Sequence, residues 1–455
     1  MTTLKRIISE AEPELQKKFE EVKNGVSLSI IIMAAFQLGR MLMVMLVEEI
    51  IANRAKEKTN WPNCEKCGKR LQSKGFAERQ IQSVLGTIRW ERRVGRCPKG
   101  CQIGQIAPLD EELGIEPYQQ TSMELKKIGS SLAVFVAYET AANLMKQIIG
   151  IEVSSSSIWQ WVQVSGKQAM KKIETEILNM VKGQMPKPEE LAGIAQLPLI
   201  VGADGVMVPF RPNGGSPKGK TVWQEVKIGI MARLQKYSNH CQQIVERLKE
   251  RRLVAVLGSI DDLSKRLELE AHKQAIGQAC VVVWLSDGAR GLWRLFKQSF
   301  SNRAIGILDF YHAAENLWKA VSVWLDGSSR QALQWFNASR HKLRHGEQNQ
   351  VLDDISAALK LDGLPDCAKQ SLTNLYLYLD NHKEHIQYQH FKEMGLPIGS
   401  GFVESACKWL IQQRFKGVGM RWSQQGFNHL LHLRLAWVNG RFDSLFPVHT
   451  PSPNP

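Results

Sequence analysis

Three acidic residues stand where metal-dependent phosphodiester chemistry would need them. Asp204 lies in LIVGADGVMVPF, Asp287 in CVVVWLSDGARGLW and Glu404 in GSGFVESACKW. The first two follow short apolar runs rich in Val and Ile, the pattern of buried strands. The third falls about one turn into a helical pattern. Carboxylates at strand ends, though distant in sequence, can converge on two divalent ions that clamp the attacking and leaving oxygens of an in-line displacement. An acid entering at the end of a buried strand is costly unless a cation meets it. Asp-Gly is also a common turn dipeptide, and both aspartates precede glycine. Two such ends on apolar strands favour a function over turn geometry. Asp309 competes for the second position, because it ends the apolar run AIGIL and opens an Asp-x-x-His unit with His312.

The most specific local signal is the set Cys64, Cys67, Cys97 and Cys101, arranged as CEKC and CPKGC. Two such knuckles build a closed tetrahedral site in which four thiolates leave no open position, so the ion is expected to be one structural Zn²⁺. Gly68 and Gly100 are expected to let the two turns form. Lys66, Lys69, Arg70, Arg92, Arg93, Arg96 and Lys99 surround the knuckles, a basic setting suited to phosphate. The remaining cysteines are isolated, as in a reducing compartment.

Two further stretches suit nucleic acid. Residues 138–163, YETAANLMKQIIGIEVSSSSIWQWVQ, have the pattern of a helix-turn-helix with Gly150 at the turn and a serine cap; Ser155, Ser156 and Gln160 then face the major groove. A plain helical bundle is the competing reading. Downstream of Glu404, the basic residues Lys408, Arg414, Lys416 and Arg421, with Trp409 and Trp422 interleaved, combine phosphate-seeking charge with aromatic faces for base stacking. Ser400 is expected to cap that helix, with Gly399 and Gly401 bringing the backbone close. An amphipathic helix with a solvated basic face gives the same pattern.

These residues sit in a chain of 455 with a formal net charge of +15, too long for one core and basic enough for salt-sensitive attraction to polyanions. Residues 1–57 read as helical, 58–112 as a β-rich module around a metal, and 113–182 as helical. Three prolines and a glycine in 184–198 suggest a linker. A mixed strand and helix pattern occupies 196–324, nearly all helix 325–392, and helices again 393–446; the tail 447–455 is expected to be disordered. The run 28–51 looks almost membranous, but Gln37, Arg40, Glu48 and Glu49 interrupt it before the roughly 20 apolar residues a span needs. A long buried helix or a helix-pair interface that assembles protomers is expected there instead. No signal peptide is expected, and a cytoplasmic, nucleoid-associated location follows.

The constellation resembles the bacterial insertion-sequence transposases of the DDE type, and within them the ISKra group, a relative of the Mutator-like elements. The resemblance covers most of the chain. It rests on ADGVMVPF with the downstream WQEVKIG, on LSDGARGLW, on ILDFYHAAENLW, and on the long stretch GSGFVESACKWLIQQRFKGVGMRWSQQGFNHLLHLRLAWVNGRF. It implies an α+β multidomain chain: an RNase H-like α/β catalytic core with a helical insertion, preceded by helical and zinc-ribbon-like modules. It implies that Asp204, Asp287 and Glu404 hold two Mg²⁺ ions, or Mn²⁺ in their place, and that Asp309 and His312 form an accessory motif. In an RNase H-like sheet the strand order is 3-2-1-4-5, so strand four lies beside strand one, about 4.8 Å away, and strand five about twice as far. That order favours Asp287 over Asp309 as second ligand. The implied partners are double-stranded DNA, both element ends and target, and further copies of the chain, with no membrane. A zinc-ribbon, helix-turn-helix regulator without catalysis accounts for the charge and cysteines but leaves the strand-end acids unexplained. A stand-alone RNase H-like nuclease shares the site without strand transfer.

Overall fold

The computed structural model describes residues 12–191, 193–212, 219–238, 242 and 244–447. The first eleven residues, most of the loop 211–220, Cys241 and the tail from 448 lie outside the described residues. The chain divides into two compact units, Met1–Val162 with Asp443–Pro455, and Gln163–Phe442. The boundary falls inside a helix. The proline-containing stretch 184–198 expected to be a linker belongs wholly to the second unit. It is irregular but tied down: Glu189 accepts from Arg441 and Arg252, at 3.0 Å each, and its backbone N–H donates to Lys273.

In the first unit, helices α1 (Glu12–Lys23) and α2 (Leu28–Lys56) pack on each other, with Ser27 capping α2. A two-stranded antiparallel hairpin follows, β1 (Gln72–Gln82) and β2 (Thr87–Arg96), and then α3 (Pro108–Glu112), α4 (Met123–Phe135) and α5 (Tyr138–Ile149). The period of two in β2 puts Trp90, Arg92 and Val94 on its buried side. Arg92 is therefore withdrawn from the phosphate-facing set: it is buried, paired with Asp110 at 3.1 Å, and donates to the carbonyls of Ala77 and Glu78. Helix α2 is long and apolar enough to cross a membrane by length and composition. The expected burial does not occur, for only Ala34 and Ala55 are buried along it.

Gly150 ends α5 in the left-handed conformation, at φ +65, a position that suits glycine. After it, Ser154 accepts from the Ser157 N–H at 3.0 Å and opens the long helix α6 (Ser155–Val181). The two helices flanking a glycine turn are those expected. Trp161 fills the space over Gly129, where a Cβ would come within 2.7 Å of its ring.

The second unit is built on five strands: β3 (Leu199–Phe210), β4 (Val222–Ser238), β5 (Ile244–Val256), β6 (Val282–Ser286) and β7 (Ala304–Leu308). Their order across the sheet is β5-β4-β3-β6-β7; β4 pairs antiparallel with β3 and β5, while β6 and β7 run parallel to β3. Counted along the chain from β3, this is 3-2-1-4-5. β6 and β7 read as continuous apolar runs because helices cover both faces of a parallel sheet: all of β6 is buried. α7 (Ile260–Lys273) and α8 (Arg290–Leu295) flank β6, and α9 (Phe310–Trp324) follows β7. Then come α10 (Arg330–Arg344), α11 (Gln348–Ala358), α12 (Asp366–Asn381) and α13 (Tyr388–Glu393), the nearly all-helical stretch expected over 325–392. Helix α14 (Gly401–Cys407) continues through a π turn at Lys408–Gln412, and α15 (Gln424–Val438) closes the unit. Leu199–Val201, Val283–Leu285, Ile307–Leu308 and Phe310 form the centre of one core shared by the sheet and these helices.

Candidate functional site

The parallel ladders fix the site's first geometry. Ala203 pairs with Ser286, and Ser286 with Leu308. The next residues on these three adjacent strands are Asp204, Asp287 and Asp309. Asp204 is interior to its strand, a correction to the expected strand end: β3 runs on to Phe210 against β4, but its ladder to β6 stops at Ala203. The acid thus sits where the β6 neighbour ends, which opens that side of β3 without ending the strand.

Helix α14 delivers the third acid. It lies across β3 at Gly202, where a Cβ would stand 2.4 Å from Val403 and 2.9 Å from Phe402. Gly202 and Asp204 share a face of the sheet. On that face the Cys407 thiol donates to Asp204 Oδ2 at 3.6 Å. Glu404 precedes Cys407 by three residues, so the two neighbour each other along the helix, and the Glu404 charge helps raise the Cys407 thiol, after burial and Asp204. Glu404 is half exposed and lies 3.8 Å from the Lys408 ammonium. Ser400 stands at the N-cap, but its hydroxyl caps nothing; its carbonyl accepts from Val403 and Glu404. Gly399 does bring the backbone close, with Tyr311 carbons 2.7 Å from where a Cβ would be, whereas Gly401 faces open space.

Asp287 and Asp309 differ sharply in what they have left to offer. Asp287 is half buried, and its Oδ1 accepts from the Ala289 N–H at 3.0 Å. Its carbonyl is held by the Trp293 indole at 2.7 Å. Gly288 is required for space, since a Cβ there would lie 2.2 Å from the Tyr378 ring of α12. Asp309 is 1% exposed. It caps α9 by accepting from the His312 N–H at 2.7 Å, accepts from the Ser400 N–H, and pairs with His312 Nδ1 at 3.1 Å. Both of its oxygens are engaged, and it joins β7, α9 and the start of α14.

The electrostatics follow from this arrangement. Burial raises the Asp204 carboxyl, the like charge of Asp287 raises it further, and Gly205, Cys407 and His312 oppose the shift. Burial pushes Asp309 up as well, but its partners His312 and Ser400 outweigh that and hold it near 2. The Asp309 carboxylate, against burial and helped by Asp287, raises His312 to about 9. His312 is thus an imidazolium facing a group of carboxylates at neutral pH.

Asp204 and Asp287 are adjacent, repel each other, and Asp287 presents a second oxygen, conditions a dication relieves. Among the described residues, the four cysteines are the one group of three or more ligand residues gathered closely enough to hold a metal ion, their atoms all within 4.8 Å of one another. Two ions about 3.5–4 Å apart do not require that all three carboxylates meet at one point.

The cysteine centre fits zinc closely. Cys64, Cys67, Cys97 and Cys101 gather around one point, with Cys67 and Cys97 Sγ at 3.4 Å and no disulfide. Sulfurs around a tetrahedral Zn²⁺ at about 2.3 Å lie about 3.8 Å apart. Gly68 and Gly100 both take positive φ, +69 and +72, as the knuckle turns require. Cys97 settles near 6 because backbone groups of Cys101 and Lys99, with Cys67, outweigh its desolvation, while sharing protons with Cys97 and Cys67 pushes Cys101 up to about 12. Four sulfurs gathered around one point with no disulfide among them are the donor set a tetrahedral dication takes.

The expected DNA-facing residues divide. Ser156 and Gln160 are exposed and Ser155 half-buried. Lys408 and Lys416 are exposed and Arg421 half-buried, with Arg421 donating to the Gly219 carbonyl and Lys416 5.7 Å from the Trp223 ring centre. Arg414 is corrected: it is 2% exposed and lies over the Trp422 ring. Trp422 is half-buried: its backbone makes a single bridge to Phe210, its indole donates to the Phe415 carbonyl at 2.9 Å, and its ring meets that of Phe415 edge-on. Arg434, passed over in the sequence, is 1% exposed and donates to the carbonyls of Trp409 and Leu410. Those carbonyls lie in the π turn, where backbone groups lose their ordinary partners. Arg434 thereby fixes the helix that carries Glu404. Cys407 and Tyr378 were also missed; the i+3 spacing from Glu404 was the signal for the first, and the second carried none.

No protein-family model matches the chain, and no curated protein matches it in sequence. Among solved structures the chain is similar to the Drosophila P element transposase strand transfer complex, at 10% identity, over 73% of this chain and 95% of that one, with a TM-score of 0.33.

Proposed function

We propose that the chain is a DNA transposase of the DDE type, which cleaves DNA at the ends of a mobile element and joins the freed ends to a target. The observation that carries this reading is the register of Asp204 and Asp287 on adjacent parallel strands, with the helix bearing Glu404 seated across Gly202 two residues before Asp204. The sequence resemblance and the charge of +15 support the same reading. The core is read as RNase H-like, which the strand order supports.

In this reading Asp204 and Asp287 hold two Mg²⁺ ions with Glu404 completing the set, and those ions, when bound, activate the attacking oxygen and stabilise the leaving one. Asp204 and Asp287 present their carboxylates from a rigid sheet, which suits precise positioning. Asp309 positions: it holds His312 and the Ser400 backbone, and so the start of α14. The His312 imidazolium moderates the negative charge where a phosphate must approach. In cleavage, water oxygen bonds to phosphorus and the bond to the 3′ oxygen breaks, leaving a 3′-hydroxyl. In joining, that hydroxyl bonds to a target phosphorus and a target P–O bond breaks. The cysteine centre would hold one structural Zn²⁺, and Ser155, Ser156 and Gln160 of α6, with Lys408, Lys416 and Arg421 after Glu404, contact duplex DNA.

The test is cleavage and joining of labelled element-end DNA with Mg²⁺. Asp204→Asn, Asp287→Asn and Glu404→Gln proteins are expected to bind that DNA and leave it uncut. Normal cutting by Asp287→Asn beside an inactive Asp309→Asn would transfer the second ligand to Asp309. Cutting without joining would make the protein a nuclease, and binding without either a regulator.

A further inference from the structure

Helix α2 carries two seven-residue patterns on opposite faces. On one face lie Ala34, Met41, Glu48 and Ala55, each seven residues from the last. This face is turned into the unit: Ala34 and Ala55 are the buried residues of the helix, and Glu48 accepts from the Arg89 backbone at 2.7 Å. Beside it, Arg40 donates to the carbonyls of Leu85, Ile149 and Gly150. On the other face Ile32, Phe36, Gly39, Met43, Leu46 and Ile50 follow the alternating four and three spacing of a coiled-coil seam. The five apolar side chains of this seam are 36–56% exposed, and Gly39 has nothing within 4 Å of where its Cβ would be.

We infer that this seam is a parallel coiled-coil interface with a second copy of the chain. A sustained 3.5-residue period is the signature of helix pairing, since it keeps one stripe facing a partner along the whole length. The stripe from Ile32 to Ile50 spans about 27 Å at 1.5 Å per residue. With the seam at positions a and d, Glu49 falls at g and Arg54 at the following e, five residues on. In a parallel pair these positions face each other across the interface, so the charges choose that orientation and a two-fold symmetric dimer. Gly39, midway along, leaves a gap for a bulky neighbour such as Phe36 of the second copy. The helix is already ordered by its docked face, so pairing does not have to meet the usual cost of folding the helix.

A lipid bilayer is the other environment that would cover such a stripe. The docked face argues against it, because Arg40 and Glu48 fasten the helix at mid-length to the hairpin and to the turn after α5. The inference is independent of the proposed chemistry.

The test uses the full chain. Multi-angle light scattering across the micromolar range is expected to give the mass of a dimer. Met43→Lys with Leu46→Lys is expected to raise the dissociation constant about a hundredfold, with unchanged circular dichroism because both residues are exposed. Glu49→Lys alone is expected to weaken the dimer, and adding Arg54→Glu to restore it. A monomeric wild-type protein, a lysine variant with wild-type mass, or a charge exchange without recovery overturns the inference. Flotation of the wild-type protein with phosphatidylcholine–phosphatidylglycerol vesicles, lost in the lysine variant, would overturn it in favour of lipid.

Discussion

The cysteine centre and the carboxylate edge are both candidate metal sites, and they are assembled in opposite ways. The cysteines come from two knuckles at the ends of one hairpin, within 38 residues from Cys64 to Cys101, and their sulfurs already stand around a single point. The acids come from two strands and a helix spread over 201 residues from Asp204 to Glu404. Two are fixed by register, and the third approaches on a helix with its side chain half in solvent. Local chain geometry completes the first site, whereas tertiary packing only prepares the second. On the proposed function the second site must admit a substrate, and such a site cannot be closed in advance.

The largest expected effect tests the closed site. Cys97→Ser, or removal of zinc by a chelator, is expected to unfold the hairpin region. Apparent binding energies of structural zinc reach about 10 kcal/mol or more, beyond what a small module can lose. Limited proteolysis of residues 58–112 and one zinc per chain by atomic absorption check this; a protease-resistant, metal-free hairpin would show that the sulfurs serve another purpose.

The open site is expected to behave differently. On the proposed function, Asp204→Asn and Asp287→Asn are each expected to remove several kcal/mol of transition-state stabilisation, about 10³-fold in cleavage rate, with melting temperature little changed. Asp309→Ala inverts this pattern. It loses a helix cap and the tie to Ser400, so it is expected to cost about 2–3 kcal/mol of stability, read by denaturant unfolding. If Asp287→Asn is the strongly destabilised variant and Asp309→Ala the inactive but stable one, the division between the two carboxylates is reversed.

The smallest effect is in pH. His312 is raised from its ordinary value to about 9, so its share of stability is complete below about 6.5 and is lost as pH rises through 9. Asp309 is lowered to about 2, so its share is present above about 4 and is lost as pH falls through 2. The stability deficit of His312→Gln is therefore expected to be greatest between these limits and to shrink toward pH 9. A deficit independent of pH would mean that packing, and not the ion pair, holds the imidazole.

Much of this was legible in the sequence because it is encoded locally. Two-residue alternation, the apolar runs of β6 and β7, the knuckle glycines and the turn at Gly150 are each determined by neighbours along the chain. The strand β5 was not singled out, since its charged run VERLKERR lacks an apolar period. The basic residues after Glu404 show the limit most clearly. Lys408 and Arg414 look alike in sequence, yet one is exposed and the other 2% exposed against Trp422. The difference comes from packing distant in sequence, where Trp422, bridged to Phe210, lies against Arg414. The exposure of α2 is illegible in the sequence for a related reason. Its composition records that its faces must be covered, without recording whether the cover comes from the same molecule.

One feature of the sheet governs the acids without being an acid. At position 202 the absence of a single methyl group lets Val403 and Phe402 settle onto β3. The reach of Glu404 toward the aspartates is thereby calibrated by an empty volume, and any side chain grown there would be transmitted along α14 as a displacement of the third carboxylate.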